Sequence, residues 1–144
     1  MAGAQVMVLG MDIASTSPHD LRDCGNIVRF LQTVNLYEME PHDELAAGDT
    51  QYVLARSGQE YVAYTAHATG QIGLKKMKAG NYHFSWLDCA TNRHIPQGPV
   101  EVIDGDGTWD VPRGFGSEIA VYIRHQPDCR FFTSETDKLP AESP

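Results

Sequence analysis

The sequence predicts an all-β fold: an antiparallel sandwich of about seven strands, preceded by one amphipathic helix. Three observations predict it. Short runs rich in β-branched and aromatic residues recur about every ten residues; polar and apolar side chains alternate within them; and Gly- or Asn-bearing turns separate them. The length, 144 residues, suits one domain, and 42% apolar with 21% charged residues is an ordinary globular balance.

The helix comes first. Ser17-Pro18-His19-Asp20 combines a capping hydroxyl, a proline suited to the first helical position and an acid near the positive helix end. Leu21, Cys24, Ile27, Val28, Leu31 and Val34 then recur at three- and four-residue steps, which predicts a helix over 18–34 with its Leu21/Ile27/Leu31 face packed inward or on a partner. Residues 39–45 read as a turn. Beyond Gly48-Asp49 the period changes to two, and strands are expected at 51–56, 60–66, 71–77, 81–88, 99–103, 108–111 and 118–124. Tyr82, Phe84 and Trp86 share one face of their strand, and Asn81, His83 and Ser85 the other. In the last strand Ile119, Val121 and Ile123 face in, while Ala120, Tyr122 and Arg124 face out. Residues 1–17 read as a lead-in or edge strand, 18–125 as the domain, and 126–144 as a polar tail.

Charge excludes some functions. Nineteen acidic against 11 basic side chains leave a net charge of −8, which repels a phosphate backbone and an anionic bilayer alike. Neither nucleic acid nor membrane is an expected partner. Cys24, Cys89 and Cys129 are widely spaced and odd in number, unlike a disulfide framework or a zinc motif. The start of the chain lacks a basic region of the kind that opens a secretion signal, so the chain as written is expected in the cytoplasm, or exported if it is part of a larger enzyme.

The residues also resemble a known arrangement. A helix with Phe30-Leu31 and the turn Met39-Glu40-Pro41 ending at Leu45 come first. Tyr61-Val62-Ala63-Tyr64 follows, and then Gly80-x-Tyr82-x-x-x-Trp86-x-Asp88-x-x-Thr91-Asn92, Pro112 and Ile119–Ile123. Together these resemble the C-terminal β-sandwich of certain (β/α)₈-barrel glycoside hydrolases, the family labelled a collagen-binding domain of a collagenase. Cys89 stands where that pattern has Pro, and Asn92 where it has Gly; Asn tolerates the same left-handed backbone. The resemblance implies a non-catalytic accessory module, structural or weakly carbohydrate-binding, with Gly80, Tyr82, Trp86 and Asp88 as structural motif residues. A barrel takes about 250 residues, far more than precede the helix here, so the acid/base pair of such enzymes does not carry over.

Other constellations were weighed on their chemistry. Asp104-Gly-Asp106-Gly resembles a hard-cation loop but lacks the third ligand and the glycine that an EF-hand-type loop needs; Asp-Gly is also the commonest hairpin dipeptide. A hairpin is expected there, with calcium on Asp104 and Asp106 as the alternative and no other cofactor. Six histidines are scattered without metal-binding spacing. Trp109, Asp110, His83 and Tyr122 are the candidate ligand-binding residues, because an aromatic ring beside polar groups suits a sugar. Two rival functions remain: a homo-oligomeric interaction protein using the helix or a sheet face, and a small metal-dependent enzyme built on the Asp104/Asp106 hairpin.

Overall fold

The computed structural model describes residues 14–126. Helix α1 spans Pro18–Leu31. Nine strands follow: β1 Glu40–Pro41, β2 Ala46–Gly48, β3 Tyr52–Arg56, β4 Glu60–Thr65, β5 Gln71–Met77, β6 Gly80–Asp88, β7 Arg93–Val102, β8 Gly105–Asp110 and β9 Ile119–Gln126. Short 3₁₀ turns occur at Leu36–Glu38 and Asp43–Leu45. All pairings are antiparallel. Six strands form one sheet in the order β1-β3-β4-β9-β6-β7, and β2-β5-β8 form a second.

The two sheets enclose the main core. Val53, Tyr61, Ala63, Ile72, Leu74, Tyr82, Trp86, Val121 and Ile123 are all but sealed from solvent within it. Tyr82, Trp86, Val121 and Ile123 are inward members of the expected alternation, and burying several large side chains at ~25 cal/mol per Å² supplies most of the drive to close the sandwich.

The outer face of the six-stranded sheet is covered too. Phe30 and Val34 pack on Leu54, Val62, Leu87, Ala120 and Tyr122, giving a third layer. Ala120 and Tyr122, expected to face solvent, are therefore buried beneath this layer. The helix is shorter and turned relative to expectation. The hydrogen bonds change from i−4 to i−3 partners after Gln32, so residues 33 and 34 lie beyond the helix. Its buried residues are Asn26 and Phe30, continued by Val34 beyond its end; of the expected face Leu31 packs on the same cluster, whereas Ile27 and the neighbouring Val28 are 43% and 46% exposed.

Two further expectations are corrected. Strand β7 begins at Arg93 rather than Pro99, as an edge strand that admits Pro96 and Pro99 without breaking a ladder. Asp104 and Asp106 do not form a hairpin. β7 pairs with β6 and β8 with β5, so Ile103-Asp104 carries the chain from one sheet to the other.

A polar cleft on the outer sheet face

The motif strand β6 anchors the site. Tyr82 and Trp86 point into the sandwich, fully buried, and the Trp86 indole N–H donates to Gln97 Oε1 at 2.8 Å. The Tyr82 hydroxyl donates to the Lys78 carbonyl at 3.0 Å, and burial pushes its phenol up to about 12. Asp88 closes the strand. Its carboxylate accepts from the amides of Ala90, Thr91 and Gly116 at 3.0–3.2 Å. Burial raises its pKa, but these amides outweigh burial and hold the carboxyl below the usual carboxylate range. Asn92, in the turn after it, has φ 56°, the left-handed conformation. Cys89 is half-buried, and burial pushes its thiol up to about 11, which makes it a poor nucleophile.

The alternate residues of β6 face outward. Register pairs His83 with Arg124 and Ser85 with Tyr122 on β9. Across β6, one residue, His83, opposes two, Gly98 and Pro99, in a bulge of β7. Gly98 is required for this approach: a Cβ there would lie 2.6 Å from His83 Nδ1. Gly80 does the same for His125, whose Nε2 would lie 2.5 Å from a Cβ. The His83 Nε2 contacts Gln126 Oε1 at 2.8 Å.

Together these groups line an open cleft of about 560 Å³, formed by His83, Ser85, Pro96, Gln97, Tyr122 and Arg124, with Thr33 at the end of the helix. Its lining contains no carboxylate. Tyr122 is its inner wall; burial and the neighbouring negative charge of Glu60 push that phenol up to about 12. The cleft can offer hydroxyl and guanidinium donors beside a small apolar surface.

His83 and Tyr122 are thus brought together, but Trp109 and Asp110 are not. Both belong to β8 in the other sheet. Trp109 packs edge-on against Phe84 at 4.8 Å within the intersheet core, contrary to its expected surface position. Asp110 accepts from Gln71 Nε2 at 3.0 Å. Asp106 accepts the amide of Lys76 at 3.2 Å, where β5 is bulged and Lys76 has φ 55°. Among the described residues, no three His, Cys, Asp or Glu side chains gather as a metal site. The sequence reading missed Arg124, Ser85 and Gln97; the outward register of β6 and β9 was the available signal for the first two.

A second, apolar groove runs beside α1. It holds about 400 Å³ and is lined by Ile27, Phe30, Leu31, Tyr52, Tyr64 and Ala120, with Val62 at its base. Among the described residues, no helix is long and apolar enough to cross a membrane.

Solved structures share this fold. A chain described as a glycoside hydrolase matches with TM-score 0.56 over 84% of this chain at 13% identity. A glycoside hydrolase family 5 protein from Bacteroides vulgatus matches with TM-score 0.56 over 73% at 11% identity. At such identities the likeness shows a shared fold. This chain spans only 31% and 24% of those two chains, so it resembles a minor part of each. No protein-family model and no curated protein matches the sequence.

Proposed function

We propose that the chain is a non-catalytic accessory β-sandwich module of the kind joined to glycoside hydrolases, and that its outer-face cleft binds a saccharide. The observation that carries this reading is the asymmetry of coverage: most of this chain is matched by less than a third of a glycoside hydrolase. The cleft chemistry supports it as well. Hydrolysis needs two carboxyl groups about 5–10 Å apart across the sugar, and the cleft lining contains neither. Its volume lies within the usual ~300–1,000 Å³ of small-ligand sites. The test is a glycan-binding array alongside a reducing-sugar assay on the same purified protein. Binding without sugar release is expected; release of reducing sugar that is lost in Asp104→Asn or Asp106→Asn would replace this reading with the metal-dependent enzyme.

A second reading, assembly with another copy of itself, has its own observation. The exposed Ile27/Val28 ridge lies directly beside the apolar groove. A twofold pairing would seat each ridge in the other copy's groove, the self-complementary arrangement that C₂ dimers require. Light scattering over a tenfold concentration range should show a dimer that Ile27→Asp reduces to monomer. A monomer at every concentration would remove the idea.

A further inference from the structure

Charge distinguishes the polar cleft from the rest of the molecule. The chain carries a net charge of −8, yet the cleft is lined by Arg124 and His83 and by no acid. Three of the other described arginines are engaged, while Arg22 and Arg113 lie outside the cleft lining. Arg56 pairs with Glu38; Arg29 donates to Asn26 and to the Gly25 carbonyl; Arg93 lies over the Phe115 ring and donates to the Arg113 carbonyl. The Arg124 guanidinium makes no hydrogen bond or ion pair with any described residue. Glu60 stands opposite it in the β4–β9 register, but outside ion-pair distance.

From this we infer that the cleft receives the anionic group of a saccharide, a carboxylate or a sulfate, on the Arg124 guanidinium. The inference rests on the accessory-module reading and specifies its ligand. A guanidinium offers a rigid fork of donors that matches either oxyanion, and it is more weakly hydrated than an ammonium. The neighbours suit the remainder of a sugar ring. The Ser85 hydroxyl makes no hydrogen bond with another described residue. Pro96 and the Tyr122 ring provide an apolar wall.

The experiment is a paired-glycan titration read by calorimetry. Each probe is offered in a charged and a neutral form: a hyaluronan tetrasaccharide with its carboxyl-reduced counterpart, a uronate trisaccharide with its methyl ester, and a sulfated tetrasaccharide with its desulfated form. Inorganic sulfate alone is the final arm. Charged forms should bind on the order of tenfold more tightly than neutral ones, and that preference should shrink as salt rises. Arg124→Gln should abolish the preference while leaving the melting temperature unchanged, and Arg124→Lys should restore part of it. The uronate and sulfate pairs identify which anion is preferred. Equal affinity within every pair, or a preference that survives Arg124→Gln, overturns the inference while leaving saccharide binding intact. Binding of inorganic sulfate as tight as that of the charged glycans makes this a free-anion site and overturns it too. If no glycan binds in either form, the saccharide reading itself falls.

Discussion

The two faces of the six-stranded sheet are built to different standards. The inner face, against β2-β5-β8, holds Val53, Ala63, Tyr82, Trp86, Val121 and Ile123 at essentially zero exposure. The outer face is roofed by one helix, and beside that roof lie an apolar groove and a polar cleft. The three-stranded sheet seals the centre of the inner face, whereas a single helix of 14 residues covers only a strip of the outer one. The difference teaches where side chains held on rigid strands stay accessible: at the uncovered margins of the outer face.

The contrast can be broken most forcefully from the inside. Trp86→Ala should cost about 3–5 kcal/mol in denaturant unfolding, since it empties a sealed site and leaves Gln97 without its donor. An unfolding midpoint within error of the parent would show that the inner face is not the principal core. On the outer face, Phe30→Ala should cost less, near 3 kcal/mol, because the helix layer can settle into the space. Ile27→Ala, by comparison, should stay within about 0.5 kcal/mol. The ordering of those two substitutions is the measurement, because a reversal would restore the helix face first expected from the sequence.

Smaller effects sharpen the same picture through acid. Asp88 has a folded pKa below its unfolded value, so its stabilisation is complete above the unfolded pKa and is lost as pH falls through the folded one. Asp88→Asn should therefore lower stability by about 1–3 kcal/mol at neutral pH, and the gap from the parent should narrow toward pH 3. A gap independent of pH would mean that the three amides bind a neutral side chain equally well.

Much of the sandwich could be read in advance because alternation is a local signal. Tyr82/Phe84/Trp86 and Ile119/Val121/Ile123 declare their buried side within a few residues, and Asn92 declares its turn. The helix face was misread because its buried stripe begins with a polar residue. Asn26 is buried with its side-chain oxygen held by Arg29, and that disguises the Asn26–Phe30–Val34 row beside the more regular Ile27/Leu31 row. The first half of β7 was missed because Pro96, Gly98 and Pro99 signal a loop, a signal that an edge strand overrides. The cleft was half legible. His83 and Tyr122 stood out as outward residues, but their meeting depends on β9 inserting between β4 and β6, a long-range fact with no local trace.

That insertion has a consequence for how the chain is made. β9 is the last strand among the described residues yet occupies the middle of its sheet, joining Glu60 to Arg124 and Asp88 to Ile119. Until it emerges from the ribosome, β1-β3-β4 and β6-β7 are separate ribbons, each showing a raw edge and half a core. The six-stranded sheet is therefore complete only once β9 is in place, and its pairings with β4 and β6 are long-range contacts of the kind that form slowly.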